Sequence, residues 1–133
     1  MIVVVCPGQG SQTPGFLSPW LELDGARERL SAFSDAAGVD LVAHGTESDA
    51  DAIRDTRVAQ PLIVAASLLA WEQLTAAGAR PEGVAGHSVG EIAALVAAGV
   101  IDAEAGLRLV GVRGRAMADA AALVETGMSA VVG

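Results

Sequence analysis

The chain opens with an uninterrupted β-branched run that limits the folds it can adopt. Residues 2–6 are apolar at every position, and the run stops at Pro7-Gly8. A strand without a polar face is typical of the centre of a parallel sheet that helices cover on both sides. Because parallel strands are joined by crossover connections, which are usually helices, strands and helices should alternate along the rest of the chain.

Apolar spacing and turn residues predict that alternation. A glycine-rich loop is expected over 8–15, and Pro61 is expected in the first turn of a helix that is apolar nearly all round and therefore buried. This order indicates an α/β fold with a parallel-sheet, hydrolase-like core. The pattern predicts helices over 21–37 (stopped by Gly38), 62–77, 89–98 and 103–125, a short helix from a capping box at 48–51 to about Asp55, and strands over 83–87 and 128–132.

Composition excludes several classes of function. Of 133 residues, 52% are hydrophobic, enough to bury a core, and the single cysteine excludes a disulfide framework and a cysteine-based zinc site, so no metal is expected. The net charge of −8 argues against nucleic-acid binding. No apolar run approaches the roughly 18–20 residues that cross a bilayer. We therefore expect neither a nucleic acid nor a membrane as partner, and a cytoplasmic location.

The strongest chemical signal is Gly86-His87-Ser88-Val89-Gly90, a Gly-x-Ser-x-Gly pattern between a predicted strand and a predicted helix. At such a turn the serine hydroxyl stands clear of the sheet, and the following helix points its first amides at the site. Glycines on either side permit close packing. The pattern indicates a nucleophile at Ser88; the alternative is a structural serine in a tight turn.

A serine nucleophile normally needs a base within hydrogen-bond reach. The chain has two histidines, His44 and His87. Because neighbours on an extended segment point to opposite sides, His87 should face away from the hydroxyl of Ser88, which favours a structural role. His44, in a polar stretch far upstream, is interpreted as a surface residue. The sequence supplies no credible base.

Four motifs together resemble the malonyl-CoA:acyl carrier protein transacylase family and the acyltransferase domains of polyketide synthases. They are Pro-Gly-Gln-Gly-Ser-Gln at 7–12, Thr-Arg-Val-Ala-Gln-Pro at 56–61, Gly-His-Ser-Val-Gly-Glu at 86–91 and Val-Arg-Gly-Arg-Ala-Met at 112–117. The resemblance implies that 1–126 are the N-terminal part of an α/β acyltransferase core. It also implies that 127–133 begin a small ferredoxin-like subdomain.

By this resemblance the activity is transfer of malonyl from coenzyme A to the phosphopantetheine thiol of acyl carrier protein through a seryl ester, in fatty acid biosynthesis. Malonyl-CoA would be the substrate and acyl carrier protein the partner, with no separate cofactor. The resemblance assigns the nucleophile to Ser88, the oxyanion hole to the backbone amides of Gln9 and Val89, and substrate contacts to Arg113, Gln60, Met117 and His87.

Helical phase supports Arg113 independently. At about 100° per residue, Arg113 lies about 60° from the centre of an apolar stripe. A half-buried arginine needs an anionic partner, and its planar fork suits a carboxylate. A structural salt bridge is the alternative for Arg113, helix capping for Gln60 and core packing for Met117. The stripe consists of Leu107, Val110, Met117, Ala121 and Val124.

Other functions stay open at this point: a polyketide synthase-associated acyltransferase, an α/β serine hydrolase or esterase, which has no use for Arg113, and a non-catalytic binding fragment. Members of the resembled family carry their catalytic histidine well downstream of the serine, whereas this sequence stops at Gly133. The polypeptide 1–133 is therefore expected to be a fragment that transfers little or no malonyl by itself.

Overall fold

The structure, a computed structural model, describes residues 1–125, 127, 129 and 131. It confirms the predicted α/β order. The predicted strand at 128–132, and with it the predicted boundary at 126/127, lies mostly outside the described residues. The elements are strands β1 (Val3–Cys6) and β2 (Gly83–Gly86), helices α1 (Ala26–Ala37), α2 (Leu41–Thr46), α3 (Thr56–Ala76), α4 (Gly90–Ala97) and α5 (Ala103–Ala121), and 3-10 turns at Ser18–Glu22 and Ala52–Arg54.

The sheet is parallel, as predicted, and pairs β1 with β2 from Val3 opposite Gly83 to Cys6 opposite Gly86. The expectation that β1 is covered on both sides is wrong for the described part of the chain. The side chains of Val3 and Val5 are 49% and 68% exposed, whereas Cys6 is buried. The physical reason is that the sheet has only these two strands among the described residues, so β1 has an uncovered edge and face.

Helix α3 begins at Thr56, six residues before its predicted start. Asp55 caps it, because its carboxylate accepts the Arg57 amide at 2.8 Å. Pro61 therefore lies inside the helix rather than in its first turn, and since proline has no amide hydrogen, the carbonyl of Arg57 loses its helical partner. Gly114 packs over this turn: a Cβ built on it would lie 2.9 Å from the Thr56 carbonyl oxygen.

Other boundaries differ from the prediction where local capping decides. Helix α1 starts at Ala26, because residues 18–22 form a 3-10 turn, and it stops at Gly38 (φ 70°) as predicted. The turn near residue 50 is 3-10, and Asp49, not Ser48, accepts the Ala52 amide at 2.9 Å. Helix α2 was not predicted; Asp40 caps it.

The core lies around α3, whose middle is buried as its apolar composition predicts. Helices α1, α2, α4 and α5 all pack against it, and α4 also packs against both strands. Among the helices that the structure describes, none combines the length and apolar character of a membrane-spanning segment. The largest buried side chains include Phe33, Leu17, Leu30, Leu41, Leu62, Ile63, Leu68, Leu107 and Val110.

Helix α5 reaches its neighbours through glycines. A Cβ built on Gly111 would lie 2.2 Å from the carbonyl oxygen of Ala37, and one on Gly106 would lie 2.7 Å from a methyl group of Val96. The predicted apolar stripe is only half buried, because its C-terminal members run past the core. Leu107 and Val110 are buried, whereas Met117, Ala121 and Val124 are exposed.

We predict that Gly111→Ala lowers the free energy of unfolding by about 2 kcal/mol, within the usual range for overpacking, because the new methyl group meets rigid backbone. Gly106→Ala is the matched control on the same helix. Its methyl group meets a methyl group of Val96 rather than backbone atoms, so its cost should be smaller. Urea denaturation measures both, and an equal or smaller cost at Gly111 would contradict the packing described.

Candidate functional site

Ser88 occupies the turn between β2 and α4, as the motif predicts. Its φ of 54° is the only positive value at a non-glycine residue in the described chain. The amide of Gly90 donates to the carbonyl of His87 at 3.0 Å, and that of Glu91 to the carbonyl of Ser88 at 3.0 Å. A left-handed residue followed at once by a helix lifts the hydroxyl above the sheet, where it is exposed.

The two motif glycines allow contacts that any side chain would block. A Cβ on Gly86 would lie 2.3 Å from the amide nitrogen of Glu91, and one on Gly90 would lie 2.3 Å from the carbonyl oxygen of Cys6. The amide of His87 also donates to the Cys6 carbonyl at 3.0 Å. The serine turn is therefore held against the end of β1, which places the loop after β1 beside it.

Arg113 of α5 reaches the serine. Its Nη2 donates to Ser88 Oγ at 3.4 Å, across 25 residues of sequence. The side chain is half-buried, as its helical phase predicts. Within the described residues no carboxylate pairs with Arg113. A guanidinium without a counter-ion beside a hydroxyl is suited to hold a carboxylate that arrives on a ligand.

Gln60 of α3 joins these groups. Its Oε1 accepts from Nη1 of Arg113 at 2.7 Å, and its Nε2 lies 3.2 Å from Met117 Sδ and 3.5 Å from Gln9 Oε1. Gln60 is 1% exposed and points into the site, so it does not cap the helix. Met117 is 45% exposed, so it is not part of the core that the described residues form. The structure thus brings together Gln9, Gln60, Ser88, Val89, Arg113 and Met117.

Side-chain hydrogen bonds hold the loop after β1 in place. Gln9 Nε2 donates to Thr56 Oγ1 at 3.3 Å. Gln12 accepts the Gly10 amide at 2.9 Å and donates to the Ile53 carbonyl at 3.1 Å. Sequence reasoning missed the contribution of Thr56 and Gln12, although both lie within the motifs that carried the resemblance, because their partners are distant in sequence.

Two amides near the serine are free to bind an anion. Across the described part of the chain, neither the Gln9 amide nor the Val89 amide donates a hydrogen bond. The Val89 amide comes directly after Ser88 and just before α4, where the dipole of the helix favours negative charge. An amide donor directly after Ser88 is suited to stabilise negative charge on a ligand bound there.

Among the described residues, neither histidine ring forms a hydrogen bond with Ser88 Oγ. The ring of His87 lies against Gly8, where a Cβ would come within 2.5 Å of its Nδ1, and the substrate contact expected for His87 stays a prediction. His44 lies on α2, with Nδ1 3.0 Å from Ser48 Oγ. The only hydrogen bond of Ser88 Oγ among the described residues is the one from Arg113.

A further ion pair, not anticipated from the sequence, closes the contact between α3 and α5 beside the site. Nη2 of Arg57 lies 2.7 Å from Oδ1 of Asp119. The hydrogen bond to Asp119 and the negative charge of Asp119 raise the pKa of the Arg57 guanidinium above its usual range. Because Arg57 is three residues before Gln60 and Asp119 two after Met117, the pair links the two helices at the level of these side chains.

Comparison with known proteins places the whole chain in one group. A family model described as acyl transferase domain matches residues 3–133. The malonyl CoA-acyl carrier protein transacylase of Mycobacterium tuberculosis (strain H37Rv) is 53% identical over 136 residues, which cover 100% of this chain and 45% of the relative. The chain thus spans less than half the length of this relative.

Solved structures agree. A crystal structure of MCAT from Mycobacterium tuberculosis superimposes with a TM-score of 0.87 at 52% identity, covering 92% of this chain and 42% of that one. A type II PKS acyl-carrier protein in complex with its malonyl-transacylase gives a TM-score of 0.82 at 37% identity, covering 90% and 39%. The fold of the described residues is that of these proteins.

We predict that Ser88→Gly is more stable than Ser88→Ala by about 0.5–1 kcal/mol. Both variants lack the hydroxyl, but the left-handed backbone at this position strains alanine by about 1–2 kcal/mol. The greater freedom of glycine in the unfolded chain offsets about 0.4–1 kcal/mol of that gain. Thermal and urea unfolding compare the two variants; an alanine variant as stable as the glycine variant would contradict the strained turn.

Proposed function

Since this chain belongs to the acyl transferase domain family, we propose that its site transfers malonyl from coenzyme A to the phosphopantetheine thiol of an acyl carrier protein. The observation that carries the proposal is the guanidinium of Arg113, without a carboxylate partner among the described residues, 3.4 Å from Ser88 Oγ. The names of the relatives, which include a malonyl-transacylase in complex with an acyl-carrier protein, support the choice of donor and acceptor.

In the first half-reaction, Ser88 Oγ attacks the thioester carbonyl carbon of malonyl-CoA. The carbonyl oxygen becomes an oxyanion that the Gln9 and Val89 amides stabilise. When this intermediate collapses, the carbon–sulfur bond breaks and coenzyme A leaves with the proton that the serine gave up. In the second half-reaction, the carrier thiol attacks the seryl ester, forms the new thioester and returns the proton to Ser88.

Arg113 would select the acyl group. The free carboxylate of malonyl is separated by one methylene from the carbon that Ser88 attacks, and Nη2 of Arg113 is already within reach of the serine oxygen. A charge-assisted hydrogen bond there orients the substrate for attack. An acetyl group, which lacks the carboxylate, gains nothing from the guanidinium. A simple esterase, the main alternative, would make no use of this arrangement.

The reaction also needs a group that accepts and returns the proton of Ser88. The chain contains two histidines, and neither donates to or accepts from Ser88 Oγ. Serine acylation at neutral pH needs a group that takes the serine proton. We propose that this group lies outside these 133 residues. The 133 residues supply the nucleophile, the amides that stabilise the oxyanion, and the arginine that binds the malonyl carboxylate.

We predict that Arg113→Ala lowers the rate of malonyl transfer relative to acetyl transfer by about 10–100-fold, the effect of losing a hydrogen bond to a charged group. The native gene product is assayed with malonyl-CoA and acetyl-CoA in parallel. Arg108→Ala is the matched control, because Arg108 lies on the same helix but is exposed and pairs with Glu104. An unchanged malonyl-to-acetyl ratio in Arg113→Ala would contradict the proposed role of Arg113 and favour the hydrolase alternative.

A further inference from the structure

Gln60 is the one buried polar side chain among the described residues. Three groups surround its amide: the guanidinium of Arg113, the thioether of Met117 and the side-chain carbonyl of Gln9. All three belong to the site, yet they lie on α5 and on the loop after β1, whereas Gln60 lies on α3. The amide of Gln60 is therefore where three separate parts of the chain meet.

The chemistry of the neighbours fixes the orientation of this amide. A guanidinium only donates hydrogen bonds, so the atom 2.7 Å from Nη1 of Arg113 must be the carbonyl oxygen Oε1. A thioether only accepts, so the atom 3.2 Å from Met117 Sδ must be the NH₂ group. Flipping the amide would put donor against donor. Gln60 thus supplies Arg113 with an acceptor and no charge.

That combination suits an arginine that must bind a carboxylate. The oxygen of Gln60 holds Nη1, which leaves Nη2 directed at Ser88 Oγ. Because the acceptor is neutral, the full positive charge of the guanidinium stays available to a ligand. A glutamate of the same length would put a carboxylate at the same place, form an internal ion pair and leave no net charge for the substrate.

We propose that Gln60 is a positioning residue that sets acyl specificity: it anchors the guanidinium of Arg113 through a neutral oxygen, so that the charge is reserved for the carboxylate of the acyl group. The inference rests on the proposed malonyl transfer and deepens it. The NH₂ group of Gln60 also lies 3.5 Å from Gln9 Oε1. This contact connects Arg113, through Gln60, to the loop that carries the Gln9 amide.

The test replaces the neutral oxygen by a charged one. In the native gene product, Gln60→Glu should lower the malonyl-to-acetyl transfer ratio about tenfold or more, because the internal carboxylate competes for Arg113. Acetyl transfer should change much less than malonyl transfer. Gln73→Glu is the matched control: it adds the same charge to an exposed position of α3 and should leave the ratio unchanged.

A second variant separates charge from packing. Gln60→Met removes the anchor but adds no charge, so the malonyl-to-acetyl ratio should fall by about threefold, less than in Gln60→Glu, while acetyl transfer, which does not use Arg113, stays near wild type. It also keeps the inference testable if Gln60→Glu does not fold. A wild-type ratio in either folded variant, or a loss of the ratio in Gln60→Met as large as in Gln60→Glu, would overturn the inference.

The proposed function fails in a different pattern. If Arg113→Ala also leaves the malonyl-to-acetyl ratio unchanged, malonyl recognition by Arg113 is wrong, and the role of Gln60 is wrong with it. If Arg113→Ala lowers the ratio and a folded Gln60→Glu does not, only the role of Gln60 is refuted.

Discussion

The backbone contact between the serine turn and the end of β1 determines the rest of the site. Gly90 lies so close to the Cys6 carbonyl that no side chain fits, and the amide of His87 donates to the same carbonyl. This contact holds Ser88 in a left-handed conformation at the head of α4. It also brings the loop after β1 beside the serine turn, where Gly8 lies against the ring of His87.

A second close contact, between α3 and α5, supplies the polar half of the site. Gly114 lets α5 approach the turn of α3 where Pro61 removes a helical hydrogen bond, and the Arg57–Asp119 ion pair closes the same contact. Only with the two helices this close can Gln60 reach Arg113. Arg113 and Gln60 are therefore positioned by helix packing, and Ser88 by a left-handed turn.

Much of the fold around Ser88 and of the candidate site could be predicted from the sequence. The Gly-x-Ser-x-Gly pattern, lying between a predicted strand and a predicted helix, placed Ser88 in the turn that joins them. Helical phase was enough to place Arg113 towards the interior. Resemblance to a family brought Gln9, Gln60 and Met117 into the site, and the structure places these side chains in hydrogen-bond contact.

What could not be predicted depends on tertiary contacts. The start of α3 at Thr56 rather than 62 requires a proline inside the helix, which sequence rules disfavour and the packing of Gly114 accommodates. The exposure of Val5 follows from which strands lie beside β1, and no local pattern shows that. Thr56 and Gln12 act through partners about 40 residues away or more, beyond the reach of any spacing rule.

The most direct test of the account is the intact mass of the native gene product after incubation with malonyl-CoA, followed by peptide mapping of any adduct. The account predicts the gain of one malonyl group, located at Ser88 and absent from Ser88→Ala. A protein that turns over malonyl-CoA without forming this adduct, or that carries the malonyl group on another residue, would contradict it.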